Sequence, residues 1–463
     1  MTPTPSVASV SAAVTEMQPD WDLANTLIGG TRAMRHAGAK YLPKFPAEDD
    51  EDWKRRLGAS VLFPAFKRTV STLAAKPFSR PVTLSDDTPE RLKTWLEDID
   101  LQGRKLAIFA ADLLEDALGP GIAGILVEYP RADGVRTRAD EAAAGLRPYW
   151  IHIKSSQFLG WRAQRLDGTW KLTQLRFMES VDVDDGPWGT KSIDQVRVLT
   201  PGRWETYRES ETAKDEWALH DAGETSLKVV PFIPIYGERT GFMTGKSPLL
   251  EVAHLNVKHW QSQSDQDNLL HLARVPILVA TGTPLDFEFK IGSASAIKLG
   301  DPNADMKFVE HSGAAINAGR QSLEDLKEEM RQAGAELLVI QPGKKTATQV
   351  GAEESVGMCS LAKIAETLED ALDAAMQLTA DWVGEKSGGS VTLFKDFGVA
   401  PLAEITAQLL IDIAKSGRIS DETLRAEMKR RGVLSADVDE AEEVERLAKQ
   451  PPDDPNPSGI PAA

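Results

Sequence analysis

Apolar and polar residues alternate with a helical period in the first part of the chain. From about Trp21 to Leu118, apolar residues recur every three or four positions, which is the spacing of helices that bury one face. The clearest stripes are Phe66, Val70, Leu73 and Ala74, followed by Leu106, Phe109, Leu113 and Leu114. Each stripe needs an apolar partner, so we expect these two helices to pack on each other.

Between Ile125 and Tyr236, apolar residues tend to recur at every second position, which predicts an antiparallel β-rich region. The dipeptides Asp167-Gly168 and Pro201-Gly202 stand where tight hairpin turns would join strands. Six of the eleven tryptophans fall here, and we expect them to act as cross-strand packing groups: Trp150, Trp161, Trp170, Trp188, Trp204 and Trp217.

The helical period returns from Ser247 onward. Residues 247–275 predict one long helix, a strand follows from Pro276, and a second helix ends near Leu338. The second helix carries a narrow apolar stripe of Leu323, Leu326, Met330, Ala333 and Leu337. A later helix carries a longer stripe of Leu361, Ile364, Leu368, Leu372, Ala375 and Trp382. Two long helices joined by a small β module suit a pore lining better than an enzyme pocket.

Composition narrows the class of protein. A chain of 463 residues is too long for one core, and its net charge of −17 argues against a general nucleic-acid coat. The single cysteine, Cys359, excludes intrachain disulfides and fits a reducing compartment. No apolar run is long enough to predict a membrane span. We expect residues 1–20 and the proline-rich residues 451–463 to be disordered.

Two glycine-rich motifs have structural explanations that we prefer to functional ones. Residues 119–124 fit G-x-G-x-x-G, but a helix precedes them and a strand follows, the reverse of a dinucleotide site. Residues 241–247, Gly-Phe-Met-Thr-Gly-Lys-Ser, have one residue too few between the glycines for a phosphate-binding P-loop. We therefore expect a turn and a hinge, with a packaging ATPase as the alternative that the second motif leaves open.

Other candidates for chemistry are weaker still. His254, His259 and His271 do not share one helix face, and no cysteine pair could complete a zinc site, so we expect no metal. Cys359 lies in an apolar helical pattern without an adjacent base, which favours a small buried residue over a nucleophile. We expect no catalytic residues and no cofactor.

A basic loop is the most suggestive polar feature. Residues 341–355 are polar, with Gly343 and Gly351 flanking the middle of the segment, and they carry Lys344 and Lys345 directly after the second long helix. A short charge run is usually a solvated loop. Repeated on many symmetric subunits, however, two lysines would give a weak ring of sequence-independent contacts with phosphates.

The sequence resembles the portal proteins of tailed bacteriophages, rings at the capsid vertex through which DNA enters and leaves. The resemblance covers nearly the whole chain except its two ends. It is carried by the order of elements from Pro248 to Leu447 and by residues 41–45, 72–78, 121–130, 254–282 and 416–434. Its motifs are structural, so the match depends on the whole set.

The resemblance implies an α+β portal-like fold with long stem helices, a small α/β clip, a β-rich wing and a helical crown. The implied parts are an N-terminal arm at 1–20, a wing at 21–246, a first stem helix at 247–275, a clip at 276–314, a second stem helix at 315–340, a tunnel loop at 341–355, a wing helix and strand at 356–400, a crown at 401–450 and a tail at 451–463.

The resemblance also implies partners and a location. The chain would form a ring, of twelve subunits in the virion, around double-stranded DNA, and would be assembled in the host cytoplasm. Its implied partners are terminase, head-completion or tail adaptor proteins, and the major capsid and scaffolding proteins. We assign DNA-channel contact to Gln341, Lys344, Lys345, Thr346, Thr348 and Gln349. We assign partner docking in the clip to Asp286, Glu288, Lys290, Lys298 and Asp301.

A geometric estimate is independent of the resemblance. Helices roughly 10 Å thick around a duplex roughly 20 Å across have axes near a radius of about 15 to 20 Å, where about 9 to 12 helices fit. One lining helix per subunit therefore suits a ring of that order. A different virion structural protein, such as a minor capsid protein or an adaptor, remains the non-enzymatic alternative.

Overall fold

The computed structural model describes residues 6–130, 145–210, 216–274, 277–281, 305–309, 314–339, 359–397, 420 and 424. The chain divides into two units, Met1–Lys395 and Asp396–Ala463. In the second unit, the amide of Leu424 donates to the carbonyl of Ser420 at 2.9 Å, the four-residue spacing of an α-helix. The expected crown at 401–450 and tail at 451–463 otherwise lie outside the described residues.

The first unit mixes helices and sheets, as an α+β fold should. Its described α-helices are α1 (Ala12–Ile28), α2 (Gly30–Ala37), α3 (Asp50–Ala59), α4 (Ala65–Ala75), α5 (Glu90–Trp95), α6 (Leu106–Leu118), α7 (Leu250–Ala273), α8 (Ala314–Ala335) and α9 (Ser360–Val383). Its described strands are β1 (Thr83–Leu84), β2 (Ile122–Glu128), β3 (Tyr149–Lys154), β4 (Phe158–Leu166), β5 (Thr169–Asp184), β6 (Thr190–Thr200), β7 (Arg203–Glu209), β8 (Trp217–Glu224), β9 (Phe232–Tyr236), β10 (Glu238–Gly241), β11 (Thr244–Lys246), β12 (Ile277–Thr281), β13 (Asp305–Val309) and β14 (Val391–Thr392).

The N-terminal arm is the clearest correction to the sequence analysis. Disorder over residues 1–20 is wrong from Ser6 onward, because helix α1 begins at Ala12. Before that helix, the amide of Ser11 donates to Leu159 O at 2.8 Å, which attaches the segment to β4. Val14 and Trp21, two turns apart on α1, are both buried in the core. This apolar pair stabilises a segment whose proline-, serine- and threonine-rich composition suggested disorder.

The predicted packing of the α4 and α6 stripes is confirmed. All eight stripe residues are buried, and the two helices are in contact. Helix α6 ends at Leu118, and strand β2 begins four residues later in the middle of a three-stranded antiparallel sheet of order β3–β2–β9. Because β2 is covered on both faces, nearly all of it is buried.

The predicted antiparallel region is a five-stranded sheet of order β4–β5–β6–β7–β8. Asp167 and Gly168 both have positive φ, 52° and 81°, which is the type I′ geometry of a two-residue hairpin. Gly202 has φ 77° in the next predicted turn. Both hairpin predictions are confirmed. The core between this sheet, the β3–β2–β9 sheet and α1 consists mainly of Val14, Trp21, Ile122, Leu126, Ile153, Phe158, Leu175, Phe177, Leu199, Val230, Phe232, Tyr236 and Met243.

The expected role of the six tryptophans is only partly right. Trp150 is buried, and Trp161 and Trp204 pack at the margin of the core. In contrast, Trp170 is 61% exposed and Trp188 is 97% exposed. Both exposed residues lie at hairpin ends, where a neighbouring strand is no longer present to cover them.

Helix α9 contributes the last large buried surface of the unit. Its predicted stripe is buried except for Trp382, which is half-buried and stacks on Tyr129 at a ring separation of 5.6 Å. Strand β14 follows and pairs with β1, which is more than 300 residues earlier in the chain. Cys359, the residue immediately before α9, is a buried free thiol, as expected.

Candidate functional site

Helices α7 and α8 form an antiparallel pair. Strand β12 begins just after α7 ends, and β13 ends just before α8 begins. These strands pair antiparallel, with Ile277 opposite Val309, so they hold the C-terminal end of α7 beside the N-terminal end of α8. At 1.5 Å per residue, the helices are about 36 Å and about 33 Å long. The chain therefore carries a long two-helix rod with a β-ladder at one end.

The two helices make a close contact at a glycine, Gly319. The side-chain amide of Gln266 on α7 donates to Ile316 O on α8 at 3.0 Å. A Cβ atom on Gly319 would lie 2.0 Å from Oε1 of Gln266, so a larger residue here would displace the Gln266 side chain from its present position. Two turns further along, His259 of α7 faces Glu324 and Lys327 of α8. The antiparallel packing therefore extends over much of the length of both helices.

Helix α7 is held to the N-terminal helices through buried polar side chains. Asn256 is fully buried; its Oδ1 accepts from the amide of Phe66 at 2.9 Å, and its Nδ2 donates to Phe63 O at 2.9 Å. The Phe66 amide is one of the N-terminal donors of α4 that have no partner within that helix. Asn256 thus caps α4 from a distant part of the sequence.

A buried ion pair makes a second polar contact with α7. Arg56 and Glu48 have side-chain exposures of 6% and 8%, and two guanidinium nitrogens donate to the carboxylate at 2.7 Å each. The hydrogen bonds from Arg56 lower the pKa of Glu48, so the carboxylate stays charged. Arg56 also donates to Ser264 of α7 at 3.4 Å, and Ser60 contacts the same hydroxyl at 3.0 Å. The pair therefore joins α3 to α7.

Replacing Asn256 with alanine should destabilise the unit by about 2–3 kcal/mol, because one buried backbone donor and one acceptor lose their partners. Chemical unfolding of the purified protein measures this difference. Asn268→Ala, an exposed change on the same helix, is the matched control and should stay within about 0.5 kcal/mol of the parent. Equal effects from the two substitutions would contradict the capping role.

His259 is a buried titratable group in the helix pair. It is 1% exposed, neither ring nitrogen has a hydrogen-bond partner among the described residues, and its ring lies 5.3 Å from that of Phe63. Burial lowers the pKa of His259, and the charge of Lys327 lowers it further, while Glu324 acts in the opposite direction. The imidazole is therefore neutral in the folded protein at neutral pH.

The lowered pKa of His259 predicts acid sensitivity of the helix pair. The unfolded chain binds a proton near pH 6.5 and the folded chain only at lower pH, so stability is fully present above about pH 6.5 and falls as the pH drops below it. His259→Gln should flatten this dependence in unfolding curves recorded from pH 7.5 to 5. His254→Gln, an exposed histidine on the same helix, should leave it unchanged. An unaltered pH profile in His259→Gln would exclude this histidine as the cause.

The outer face of α8 is acidic. The apolar stripe is buried except for half-buried Ala333, whereas the opposite side is polar and exposed. Lys327 pairs with Glu324 at 2.9 Å, and Arg331 pairs with Glu328. No cation within the described residues pairs with the remaining exposed carboxylates, Asp325, Glu329 and Glu336. At 100° per residue these three lie within about 40° of one another and about 100° around the helix from the centre of the buried stripe. Asp325 and Glu329 are on α8, and Glu336 begins the 3₁₀ turn that directly follows it. Together they form what we call the acidic stripe.

The site residues proposed from the sequence lie outside the described residues. This applies to Gln341, Lys344, Lys345, Thr346, Thr348 and Gln349 after α8. It also applies to Asp286, Glu288, Lys290, Lys298 and Asp301 between β12 and β13. In the sequence, the first group follows α8 and the second group precedes it. The helix between them is about 33 Å long.

The near-P-loop has a different structure from a phosphate cradle. Residues 241–247 belong to the β10–β11 hairpin, in which Gly241 pairs with Thr244 and the side chain of Lys246 lies 3.3 Å from Glu238. Ser247 donates its hydroxyl to Leu118 O at 2.7 Å and accepts from the amide of Leu249 at 3.0 Å, just before α7 begins. The motif therefore ends in a serine that forms a turn just before α7, and its lysine is engaged by a carboxylate.

Sequence reasoning missed the polar residues that hold α7. Asn256, Ser264 and Gln266 are buried, and so is His259, for which the sequence suggests only a metal-ligand role. The signal was the lack of an apolar stripe on a helix that must still be packed on several sides. Among the described residues, no cluster of histidine, cysteine or acidic side chains could hold a metal ion. None of the described helices is long and apolar enough to cross a membrane.

Comparisons with known proteins find one family model and several solved structures. The family model is described as a domain of unknown function, DUF4055, and matches residues 248–383, from just before α7 to the last residue of α9. No curated protein matches the chain.

The chain is similar to a chain in the virion of a native gene transfer agent particle, with a TM-score of 0.41 and 14% identity. It is also similar to chains in the neck of the native particle, computed with C12 symmetry, and in the neck of the empty particle, computed with C6 symmetry; both have a TM-score of 0.43 and 13% identity. Each similarity covers 79% of this chain and 89% of the other.

Proposed function

We propose that this protein is a portal-type virion protein, whose copies form a closed ring around a DNA channel at the capsid vertex. The observation that carries the proposal is the antiparallel α7–α8 rod, whose second helix buries its apolar side and leaves the acidic stripe exposed. In the ring, each subunit contributes one α8 helix to the channel wall, with Asp325, Glu329 and Glu336 directed toward the DNA.

The charge of α8 suits a conduit rather than a binding surface. Carboxylates along a channel repel phosphates, so DNA can slide without adhering to the wall. The three residues of the acidic stripe span about 16 Å of helix, and a ring of about 9 to 12 subunits repeats them around the whole circumference. The lysines of residues 341–355 then supply a limited number of salt-sensitive contacts.

The two ends of the rod have different tasks in this proposal. The β12–β13 ladder anchors residues 282–304 at one end, where terminase and the head-completion or tail adaptor proteins dock in turn. Residues 341–355 follow α8 at the other end and meet the DNA. Force comes from a separate ATPase, because the only near-P-loop of this chain is a hairpin whose lysine is engaged by Glu238.

Replacing Lys344 and Lys345 together with alanine should leave rings intact and reduce retention of packaged DNA by about tenfold, because two phosphate contacts are lost in every subunit. The measurement is the fraction of DNA-filled heads after packaging, at low and moderate salt. Lys363→Ala with Lys386→Ala, two exposed lysines near or on α9, is the matched control. Normal retention by the Lys344–Lys345 variant would contradict the gripping role.

A further inference from the structure

The five-stranded sheet ends in two exposed hairpin tips of opposite charge. The basic tip, residues 162–171, joins β4 to β5, and the acidic tip, residues 180–194, joins β5 to β6. Because each tip lies at one end of the 16-residue strand β5, they project in opposite directions. At about 3.3 Å per residue, the separation is roughly 50 Å.

The basic tip combines cations with exposed apolar side chains. It contains Arg162, Arg165 and Lys171 against a single acidic residue, Asp167, and all four are exposed. Lys171 pairs with Asp167 at 2.9 Å, which leaves both arginines without a carboxylate partner among the described residues. Trp170 and Leu166 are also exposed at this tip. A cationic surface with a large aromatic group at its centre is typical of a binding hot spot.

The acidic tip is a two-stranded arm without support from other described strands. Strand β4 pairs with β5 only as far as Phe177, and β7 pairs with β6 only from Gln195 onward. Beyond these points, β5 and β6 pair only with each other within the described residues. An isolated two-stranded hairpin is marginally stable in water, so this arm gains stability when another surface covers it.

The two faces of the arm differ in chemistry. Directly opposite residues share a face, so Asp182, Asp184 and Asp194 lie on one side. Val181, Val183 and Ile193 lie on the other side and are only half-buried. Asp185 and the almost fully exposed Trp188 stand at the turn. Four acidic residues against one basic residue, Lys191, make this tip the complement of the basic one.

We propose that the acidic tip of one copy docks on the basic tip of the next copy, with Trp188 packing beside Trp170 and Leu166. Both halves of the contact are on the same chain, so the partner with matching charge and apolar groups is a second copy. Complementary tips at opposite ends of one strand give a head-to-tail contact, and such contacts close into a ring when the rotation between copies allows it. The contact gives the proposed ring its subunit interface at the sheet, and to that extent it rests on the proposed function.

The test uses two charge-reversed full-length variants and their mixture. Asp182→Lys with Asp184→Lys gives two cationic tips, and Arg162→Glu with Arg165→Glu gives two anionic tips. Each variant alone should need at least about tenfold more protein for half-assembly, because like charges meet at every contact. Mixed in equal amounts, the variants should assemble as readily as the parent, in alternation. Asp86→Lys with Glu385→Lys, exposed acidic residues elsewhere, should assemble normally.

Assembly is followed by sedimentation velocity, and thermal unfolding checks that each variant remains folded. If the parent assembles and both variants assemble equally well alone, the tip contact is wrong and the proposed ring stands. If the variants fail alone and remain separate when mixed, the contact is also wrong, because restored complementarity should rescue it. A parent chain that stays monomeric under all conditions contradicts both the contact and the ring.

Discussion

Changing Asp325, Glu329 and Glu336 together to lysine will convert the assembled protein from one that lets DNA pass into one that holds it. We expect its affinity for double-stranded DNA at low salt to rise by at least about a hundredfold, with a steep decrease as salt increases. Heads assembled with this variant should stall during packaging or fail to eject their DNA.

The physical reason is the repetition of charge around a ring. The substitutions change the charge of each subunit by six units, and every copy presents the change on one flank of α8 and of the turn that directly follows it. Each phosphate neutralised by lysine releases a condensed counterion, so the slope of binding against salt counts the new contacts. The apolar side of α8 is untouched, and the α7–α8 packing should therefore be preserved.

Two control variants distinguish the effect of charge on the α8 face from the effect of the protein's net charge. Glu16→Lys, Asp86→Lys and Glu385→Lys give the same change of net charge at exposed positions on other elements. This variant should bind DNA far more weakly than the α8 variant. Asp325→Asn with Glu329→Gln and Glu336→Gln should give an intermediate affinity. If all three variants bound DNA alike, the outer face of α8 would not be the wall that meets the duplex.

Replacing Gly121 with alanine should destabilise the protein by roughly 3–5 kcal/mol, the largest effect that we expect from a single substitution. Gly121 has φ +99°, and an added Cβ would lie 2.2 Å from the carbonyl carbon of Lys246 and 2.3 Å from the amide nitrogen of Ser247. Both contacts are with backbone, which cannot rotate away. Because Ser247 precedes α7 and Gly121 precedes β2, the substitution would separate the long helix from the central sheet.

Gly103→Ala is the matched control for this substitution. Gly103 also has a positive φ of 86°, but nothing lies within 4 Å of an added Cβ. The Gly103→Ala substitution should lower the free energy of unfolding only by the conformational strain of the positive φ, about 1–2 kcal/mol. The difference between the two variants in urea unfolding therefore measures the close approach alone. Equal destabilisation would mean that the backbone at Gly121 relaxes without loss of packing.

The sequence predicted those parts of the fold that depend on residues close together in the chain, such as an apolar stripe or a turn dipeptide. The stripes of α4, α6, α8 and α9 specify which side is buried, and Asp167-Gly168 specifies a turn through its backbone preference. These signals need no knowledge of distant residues. They also predicted two long helices, and the predicted ends lie within about five residues of the observed ends of α7 and α8.

The parts that sequence could not predict depend on contacts between distant residues. Asn256 is buried because Phe63 and Phe66, almost two hundred residues earlier, offer backbone groups to it. Val14 orders the N-terminal segment only because a sheet formed much later in the chain covers it. The exposure of Trp188 follows from where β4 and β7 stop pairing, which the composition of β5 does not reveal.

The sequence predicted the two long helices of the candidate site, but it did not predict the acidic stripe. The basic loop at 341–355 drew attention because lysines are conspicuous in an acidic chain. The acidic stripe was not singled out, because surface carboxylates are common and their grouping depends on the azimuth of α8. Once Leu323, Leu326, Met330 and Leu337 fix the buried side, the positions of Asp325, Glu329 and Glu336 follow, about 100° around the helix from the centre of that side.

The central claim is that copies of α8 surround a common axis with the acidic stripe facing it. A density map of the assembled particle, at a resolution that separates helices, tests this most directly. We predict a closed ring with an open centre, lined by one α8 helix per subunit with Asp325 directed at the lumen. An open lattice, a filament, or a ring in which α8 lies away from the channel would contradict it.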